Sequence, residues 1–507
     1  MKNVTRFLWN TILLTATGIL MRVLAMSFQI YLTQQIGSEG IGLYELLMSV
    51  YGFAAALAVS GIRLSTTRLT LEICTHQKVN RGQVVKLCMS YSLLLGFGSG
   101  VLLFLFSKPA ATFWLDMPEL AQCLRILAFS LPFLSVSSCL SGYFSARRQA
   151  GRMAIIQVLE FLFHTTLTFG GLIILAPQKP VQVCMLLVCS SLAADIVSAA
   201  FSAIAYRLQN EPTGRIPHTL LPDLLQIAAP DAIGSWVRSG LVSAKHLLIP
   251  KGLRKCGHSS AAALSTYGVI HGMALPLLSF PAAFLGTISG LLVPEIAESH
   301  TKGQRKRVHA MMQYTLHLTL IFSLFTTVWM ICYGGELGLL LYHTSDAERY
   351  LRLLAPLIPL MYIDMVTDGM LKGLGLQTAS MRINILDAAL SLILVWQLIP
   401  RMGIYGYLIT IYISELLNFT LSFRQLCHHA AFHLPVYRSF FAPFLSALCA
   451  VLFPRLLWMP FCTAKPLAAI LLSTVLYWLL LRLLGCITRR DLQWFFGIFR
   501  KNSARNR

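Results

Sequence analysis

Charge is what this chain most lacks. Only 12% of its 507 residues are Asp, Glu, Lys or Arg, against roughly 25% in an ordinary soluble domain. Acids are the scarcer sign, with 20 Asp and Glu against 41 Lys and Arg. So few charges cannot keep an apolar surface of this size in water, which excludes a soluble globule. The chain also lacks a Gly-Lys-Ser/Thr phosphate loop, an HExxH zinc site and a GxSxG nucleophile elbow, so nothing marks it as an ATPase, a zinc hydrolase or a serine hydrolase. Its loops are too short to carry the catalytic groups of a membrane glycosyltransferase, and no enzyme activity or cofactor is expected. The 12 cysteines include no CxxC pair. Most of them, Cys88, Cys139, Cys184, Cys189, Cys332 and Cys449 among them, lie in apolar runs where cysteine acts as a small hydrophobe, so no disulfide framework is expected.

Hydrophobic residues make up 56% of the chain and the mean hydropathy is +0.67. Apolar runs of about 20 residues, the length a helix needs to cross a bilayer core, recur from end to end. They predict spans near 8–33, 41–64, 84–106, 122–145, 153–176, 181–206, 224–250, 263–293, 309–342, 351–371, 381–400, 403–424, 439–459 and 465–485. The opening stretch has a basic start and an apolar run but no small-residue cleavage site, and reads as the first span rather than a removable signal. The net charge of +21 fits cytoplasmic loops under the positive-inside rule. No acidic tail, basic arm or Cys/His cluster supports a nucleic-acid partner. With both termini cytoplasmic, the inner loops hold Lys78, Arg81, Lys86, the Arg147/Arg148/Arg152 cluster and Lys302 to Arg307, and the tail adds Arg489 to Arg507. Lys251, Arg254 and Lys255 fall outside. They read either as a loop placed by the preceding spans or as a contact for anionic headgroups.

The chain repeats itself at half length. SGYFSARRQAGRMAIIQVLE around the fourth span matches DGMLKGLGLQTASMRINILD around the tenth, pairing Gly142 with Gly369, Gln157 with Asn384 and Glu160 with Asp387 at one offset of 227 residues. A weaker echo links Leu43-Tyr44 to Thr266-Tyr267. Six spans per unit give both units the same orientation, a parallel repeat about an axis normal to the membrane. The expected fold is therefore an all-α polytopic membrane protein of about fourteen helices. It comprises a bundle over 1–206, a linker over 207–222, a second bundle over 223–430, and two further helices with a basic tail over 431–507.

Ionisable residues inside apolar spans cost about 2.5–3.5 kcal/mol each when central, so they must face one another or water. Glu160, Asp387 and Glu415 read as structural. Arg22, Arg63, Arg238 and Lys245 are cations in or beside the first two spans of each proposed bundle, and they suit a cavity that takes an anion. Asp195, Asp364 and Asp368 are the candidates for ion coupling. Pro230, Pro276, Pro281 and Pro294 interrupt spans seven and eight, each removing a backbone hydrogen bond, and are candidate hinges. No metal site is expected.

The stretches IAAPDAIGSWVRSGLVSAKHLLIPKGL, TYGVIHGMALPLLSFPAAFLGTISGLLVPEIAE and LAPLIPLMYIDMVTDGMLKGLGLQTASMRINILDAAL resemble the stage V sporulation protein B family, as does LSGYFSARRQAGRMAIIQVLEF with its Gly-Tyr-Phe motif. The resemblance covers about residues 5–430. It implies membership of the oligosaccharide flippase group, related to lipid II flippases and, more distantly, to multidrug and toxin extruders, with two six-helix bundles around a central cavity. It also implies an undecaprenyl-pyrophosphate-linked saccharide as substrate, moved across the bacterial plasma membrane by alternating access, with cell-wall synthesis enzymes as possible protein partners. Arg22 stands where the lipid II flippases have an arginine, whereas Phe28 or Gln29 replaces their second one, and Lys245 replaces an acidic residue frequent in relatives. The rival readings are a cation-coupled multidrug exporter of the same fold, which needs an acidic coupling site, and a non-transporting scaffold of wall synthesis.

Overall fold

The structure, a computed structural model, describes residues 2–76, 80–147, 149–175, 179–212, 217, 220–429, 435–457 and 466–487. It is 91% helical, with no strand among the described residues. In chain order the helices are α1 (Lys2–Val59), α2 (Ile62–His76), α3 (Arg81–Pro109), α4 (Leu120–Ala146), α5 (Ala150–Leu175), α6 (Pro180–Arg207) and α7 (Leu220–Lys255). Then follow α8 (Ser260–Gly268), α9 (Leu275–Ser279), α10 (Ala282–Thr301), α11 (Arg305–Tyr342), α12 (Asp346–Leu354) and α13 (Ile358–Gly373). The last are α14 (Gln377–Met402), α15 (Ile404–His429), α16 (Ala442–Leu457) and α17 (Pro466–Leu483). Eleven helical stretches are long and apolar enough to cross a membrane. The first of these holds two expected spans. With α7 and the shorter α17, every one of the fourteen expected spans has its helix, and the chain is a multi-span membrane protein.

Local sequence explains the breaks. Gly37 divides α1 at a φ of 69° and Gly61 separates α1 from α2 at a φ of 77°, a left-handed backbone that glycine adopts without a Cβ penalty. Span eight is three helices. A widened turn at Val269–Ala274 leads into α9, with Pro276 in its first turn, and a second break at Phe280 and Pro281 precedes α10. Pro230 and Pro294 instead lie within continuous helices.

The helices are apolar outside and small or hydroxylated inside, the reverse of a soluble bundle. On α3, Leu94, Phe97, Val101 and Leu105 are exposed, while Gly96, Ser99, Gly100 and Ser107 are buried. A Cβ built on Gly100 would lie 2.8 Å from the Ala128 carbonyl oxygen of α4, so the two backbones meet closely. Lipid offers no hydrophobic incentive for helices to associate, and such close packing of small residues supplies dispersion contact instead. Buried hydroxyls turn back on their own helix, as Thr315 to Met311, Thr319 to Thr315 and Thr327 to Ser323 do at 2.7–2.8 Å.

Two compact units form. The first comprises Met1–Gln35, Val269–Leu394 and Arg401–Arg507, and the second Ile36–Gly268 and Val395–Pro400. By its contacts α7 thus keeps company with α2 to α6, and the first part of α1 with α10 to α17.

The repeat reappears as matching contacts inside each unit. In the second unit a Cβ on Gly142 would lie 2.6 Å from the Arg63 carbonyl oxygen and 2.9 Å from Thr66 Cβ. In the first unit a Cβ on Gly369 would collide with Ser289 Oγ and lie 3.8 Å from Val293, the residue 227 positions after Thr66. Ser198 Oγ donates to Glu160 at 2.6 Å, and Ser414 Oγ donates to Asp387 at 2.5 Å. The echo between Leu43-Tyr44 and Thr266-Tyr267 is out of this register. At that end of the spans Gly42 corresponds to Gly268, since a Cβ on Gly42 would collide with the Leu264 carbonyl oxygen and one on Gly268 with the Ser38 carbonyl oxygen, each four residues before the other glycine.

The basic group after span seven is tied to its own unit. Lys251 Nζ donates to the Phe113 carbonyl and Arg254 pairs with Asp116. The start of the 207–222 linker is also held. Tyr143 Oη donates to Glu211 at 2.7 Å, and Arg147 pairs with the same carboxylate at 2.9 Å.

Candidate functional site

Within the second unit, α2, α4, α5 and α6 border an open cavity of about 210 Å³ in which polar groups stand among apolar side chains. Its wall carries Arg63, Gln157, Glu160 and the hydroxyls of Ser137, Ser138, Ser141, Ser198 and Ser202. The local fold delivers Arg63. Gly61 lies against α7, where a Cβ built on it would sit only 2.5 Å from the Ala228 carbonyl oxygen, and the chain re-enters a helix at Ile62. Arg63 then falls in the first turn of α2, a helix end that itself favours negative charge. Its guanidinium forms no ion pair with a described carboxylate. Glu160, across the cavity, takes a hydrogen bond from Ser198, and Ser137 Oγ is buried without a partner. A free cation, a carboxylate and a wall of hydroxyls together can hold a ligand that is anionic at one point and rich in hydroxyls elsewhere.

One layer deeper, Asp195 of α6 is only 8% exposed. It lies within electrostatic reach of Glu160. Its Oδ2 has no hydrogen-bond partner.

The first unit holds a cavity of opposite character, about 770 Å³, between α1, the broken eighth span, α11 and α17. Phe280, Phe284, Phe322, Phe325, Trp329 and Trp478 line it, almost without polar surface. Its volume and wall fit a hydrocarbon chain.

The sequence candidates distribute unevenly. Arg63 lines the polar cavity. Arg238 and Lys245 lie in the same unit, two turns apart on one face of α7 and outside that lining, with Arg238 exposed and Lys245 half-buried. Arg22 belongs to the first unit, exposed on α1, next to Val23 in the wall of the apolar cavity. Asp364 accepts from Asn418 at 2.8 Å, and Asp368 pairs with Lys372 at 2.6 Å and accepts from Ser380. Glu160, read from sequence as structural, faces the cavity of Arg63. The serine wall also went unread, because single serines in apolar spans carry no pattern. The one available signal was their recurrence at 137, 138 and 141, one helical face of α4.

Comparison with known proteins agrees with this architecture. Residues 7–236 match the family described as polysaccharide biosynthesis protein, and residues 255–396 match the MatE family. The chain is 27% identical to stage V sporulation protein B of Bacillus subtilis (strain 168) over 424 residues, covering 79% of each. It is 22% identical to sporulation protein YkvU of the same organism over 83% of this chain and 95% of that one. Among solved structures, the lipid II flippase MurJ in an inward closed conformation superposes with a TM-score of 0.72 at 12% identity, over 92% of this chain and 98% of that one. An inward-facing multidrug resistance MATE transporter superposes with a TM-score of 0.60 at 15% identity, over 82% and 98%. At those identities the two structures speak for the fold alone. The first part of the chain thus resembles polysaccharide biosynthesis proteins, the second resembles MatE proteins, and most of its length is similar to a stage V sporulation protein B.

Proposed function

We propose that this protein is a flippase that moves an undecaprenyl-pyrophosphate-linked saccharide, a precursor of peptidoglycan or another polysaccharide, from the inner to the outer leaflet of the bacterial plasma membrane by alternating access. The observation that carries this reading is the unpaired Arg63 in a cavity walled by hydroxyls. A pyrophosphate-linked sugar is too polar to cross hydrocarbon, whereas its polyprenyl tail is at home there. A guanidinium suits phosphate oxygens, which it can bind bidentately. Serine, Gln157 and Glu160 suit sugar hydroxyls. In this reading the chain works as two six-span halves, 1–206 and 223–430, joined by 207–222. The helices of 431–507 are appended, and both termini are cytoplasmic. Arg22, Arg238 and Lys245 engage the anionic head along its path, and the breaks at Pro276 and Pro281, with Pro230 and Pro294, supply the bends.

Energetics need no ATP. Carrying about two negative charges outward across about 150 mV is favourable by roughly 7 kcal/mol, at about 2.3 kcal/mol per charge per 100 mV. Headgroup accessibility in proteoliposomes loaded with polyprenyl-linked glycans tests the reading. Arg63→Gln is expected to slow translocation at least tenfold, Arg63→Lys less, and an outward-positive potential to speed it. An unchanged rate in Arg63→Gln would remove Arg63 from the site.

A second reading has its own observation. Asp195, buried with one carboxylate oxygen unpartnered and within electrostatic reach of Glu160, supports a reading in which it carries a coupling cation, with Asp364 and Asp368 as further candidates. Under this reading Asp195→Asn abolishes stimulation by an ion gradient while headgroup binding persists, and gradient-driven transport by that variant would exclude it.

A further inference from the structure

Opposite charges that line one cavity inside a membrane span ordinarily pair, because pairing removes the cost that each carries there. Arg63 and Glu160 do not. Both line the cavity bordered by α2, α4, α5 and α6, yet neither belongs to an ion pair between described residues. Local bonds hold them to separate helices. Ser198 Oγ donates to Glu160 Oε2 at 2.6 Å and keeps the carboxylate on the side of α6. Arg63 starts from the first turn of α2, where the chain resumes its helix after Gly61 at a φ of 77°. Thr67 Oγ1 donates to the Arg63 carbonyl at 2.8 Å and reaches the Gly142 carbonyl of α4 at 3.0 Å, which fixes that turn against its neighbour.

The acidic side is the heavier. Asp195 lies within electrostatic reach of Glu160, while Arg63 is the one cation among the described residues of the wall. A sugar hydroxyl can donate to Glu160 but leaves its charge uncompensated. A primary ammonium neutralises that charge and brings three N–H donors, enough for the carboxylate and for neighbouring serine hydroxyls. The second half of the repeat separates scaffold from site. Asp387 keeps the serine bond, from Ser414, but Gly290 stands where the first half has Arg63. The acid and its serine are thus common to both halves, and the cation facing them belongs to the first. At about 210 Å³ the cavity has the volume of about seven waters at about 30 Å³ each, the scale of one sugar rather than an oligosaccharide.

We propose that this cavity recognises a ligand of two opposite charges, a phosphate at Arg63 and a primary ammonium at Glu160, and that the phosphate-linked sugar of the cargo therefore bears an unacylated amine. The lipid carrier of that sugar rests on the flippase reading above, whereas the pairing of phosphate with ammonium rests on the wall of the cavity alone. A guanidinium binds phosphate oxygens through a charge-assisted fork, and a carboxylate binds an ammonium in the same way. N-acetylation removes the charge from the sugar nitrogen and adds bulk to it. The acetylated sugar then leaves Glu160 without its counter-charge, and a site built around a polar group discriminates strongly against an analogue that lacks it.

Calorimetric titration of the full-length protein in detergent with glucosamine 1-phosphate and with N-acetylglucosamine 1-phosphate tests the proposal without a lipid carrier. The amine form is expected to bind about tenfold more tightly, the scale of one hydrogen bond to a charged group. Glu160→Gln should bring the two forms within about twofold of each other, while Glu160→Asp, which keeps the charge, should keep the preference. Arg63→Gln should weaken both forms. Equal affinities in the unsubstituted protein, a preference that survives Glu160→Gln, or no binding of either probe would each overturn the proposal. Translocation of the two sugars on a polyprenyl-pyrophosphate carrier, in vesicles of phosphatidylcholine and phosphatidylglycerol, separates the proposal from the reading beneath it. If both cross at one rate, the flippase reading stands and the amine requirement falls. If neither crosses while the probes keep their preference, the flippase reading falls and the two-charge site stands. Phosphatidylethanolamine carries the same two charges on a lipid. Its addition in mixed micelles is expected to leave the affinity for the amine form within about twofold, and displacement of that probe would make a lipid headgroup the ligand and overturn the amino sugar.

Discussion

The two halves of the repeat share a scaffold and differ in what it carries. Gly142 lets α4 settle onto Arg63 and Thr66, and Gly369 lets α13 settle onto Ser289 and Val293. An acid then follows on the next span in each half, held by a serine of the span after it. Where the first half has Arg63, the second has Gly290, and where the first has Tyr143 and Arg147 holding Glu211, the second has Met370 and Leu374. Packing is therefore what the duplication preserved, and polar chemistry is what diverged. A crossing of two helices tolerates almost no change in the volume between them, whereas a residue that faces a cavity is free to become something else.

That comparison can be broken most forcefully at the glycines. Gly142→Val is expected to destabilise the protein by about 3 kcal/mol, at the top of the overpacking range, because the obstacle is the backbone carbonyl of Arg63. Gly369→Val should cost about 1 kcal/mol, since the Ser289 hydroxyl can rotate away. Thermal unfolding in one detergent compares the two, and equal losses would mean that the halves are packed alike in tightness as well as in position.

The chemical difference is sharpened by paired substitutions at the next positions. Arg63→Gln is expected to cost tenfold or more in translocation, about 1.4 kcal/mol. Gly290→Ala, with no atom within 4 Å of the added Cβ, should leave the rate within twofold. A smaller effect is expected at the linker: Glu211→Gln weakens the bonds from Arg147 and Tyr143 and should lower stability by about 1 kcal/mol, read by unfolding. Among the described residues the second half offers no counterpart for this clamp. The smallest is Lys302→Ala, which removes an exposed pair with Glu298 and should change stability by less than about 0.5 kcal/mol.

Much of the fold was legible because the bilayer imposes one length on every span. The boundaries of α4, α5 and α6 fall within a few residues of those read from apolar runs. The eighth span was legible only as one segment, because hydropathy is blind to how a helix is wound, and neither the widened turn at Val269–Ala274 nor the restart after Phe280 changes it. The repeat register came through at Gly142 and Glu160, where size and charge are both constrained. It slipped by a few residues at Leu43-Tyr44, since the contact there is made by backbone that several small residues could supply. In the candidate site Arg63 announced itself as a cation in an apolar span. Glu160 was visible but assigned a structural part, for a sequence shows that a carboxylate is present without showing what it faces.

The apolar cavity between α11 and α17 has a practical consequence. A hollow of about 770 Å³ lined by aromatic rings will not remain vacant in a medium full of hydrocarbon chains, and whatever enters it binds the folded form alone. Purification then becomes a ligand exchange: the melting temperature should track the tail length and branching of the amphiphile used to extract the protein, and an isoprenoid alcohol added to a short-chain detergent should raise it.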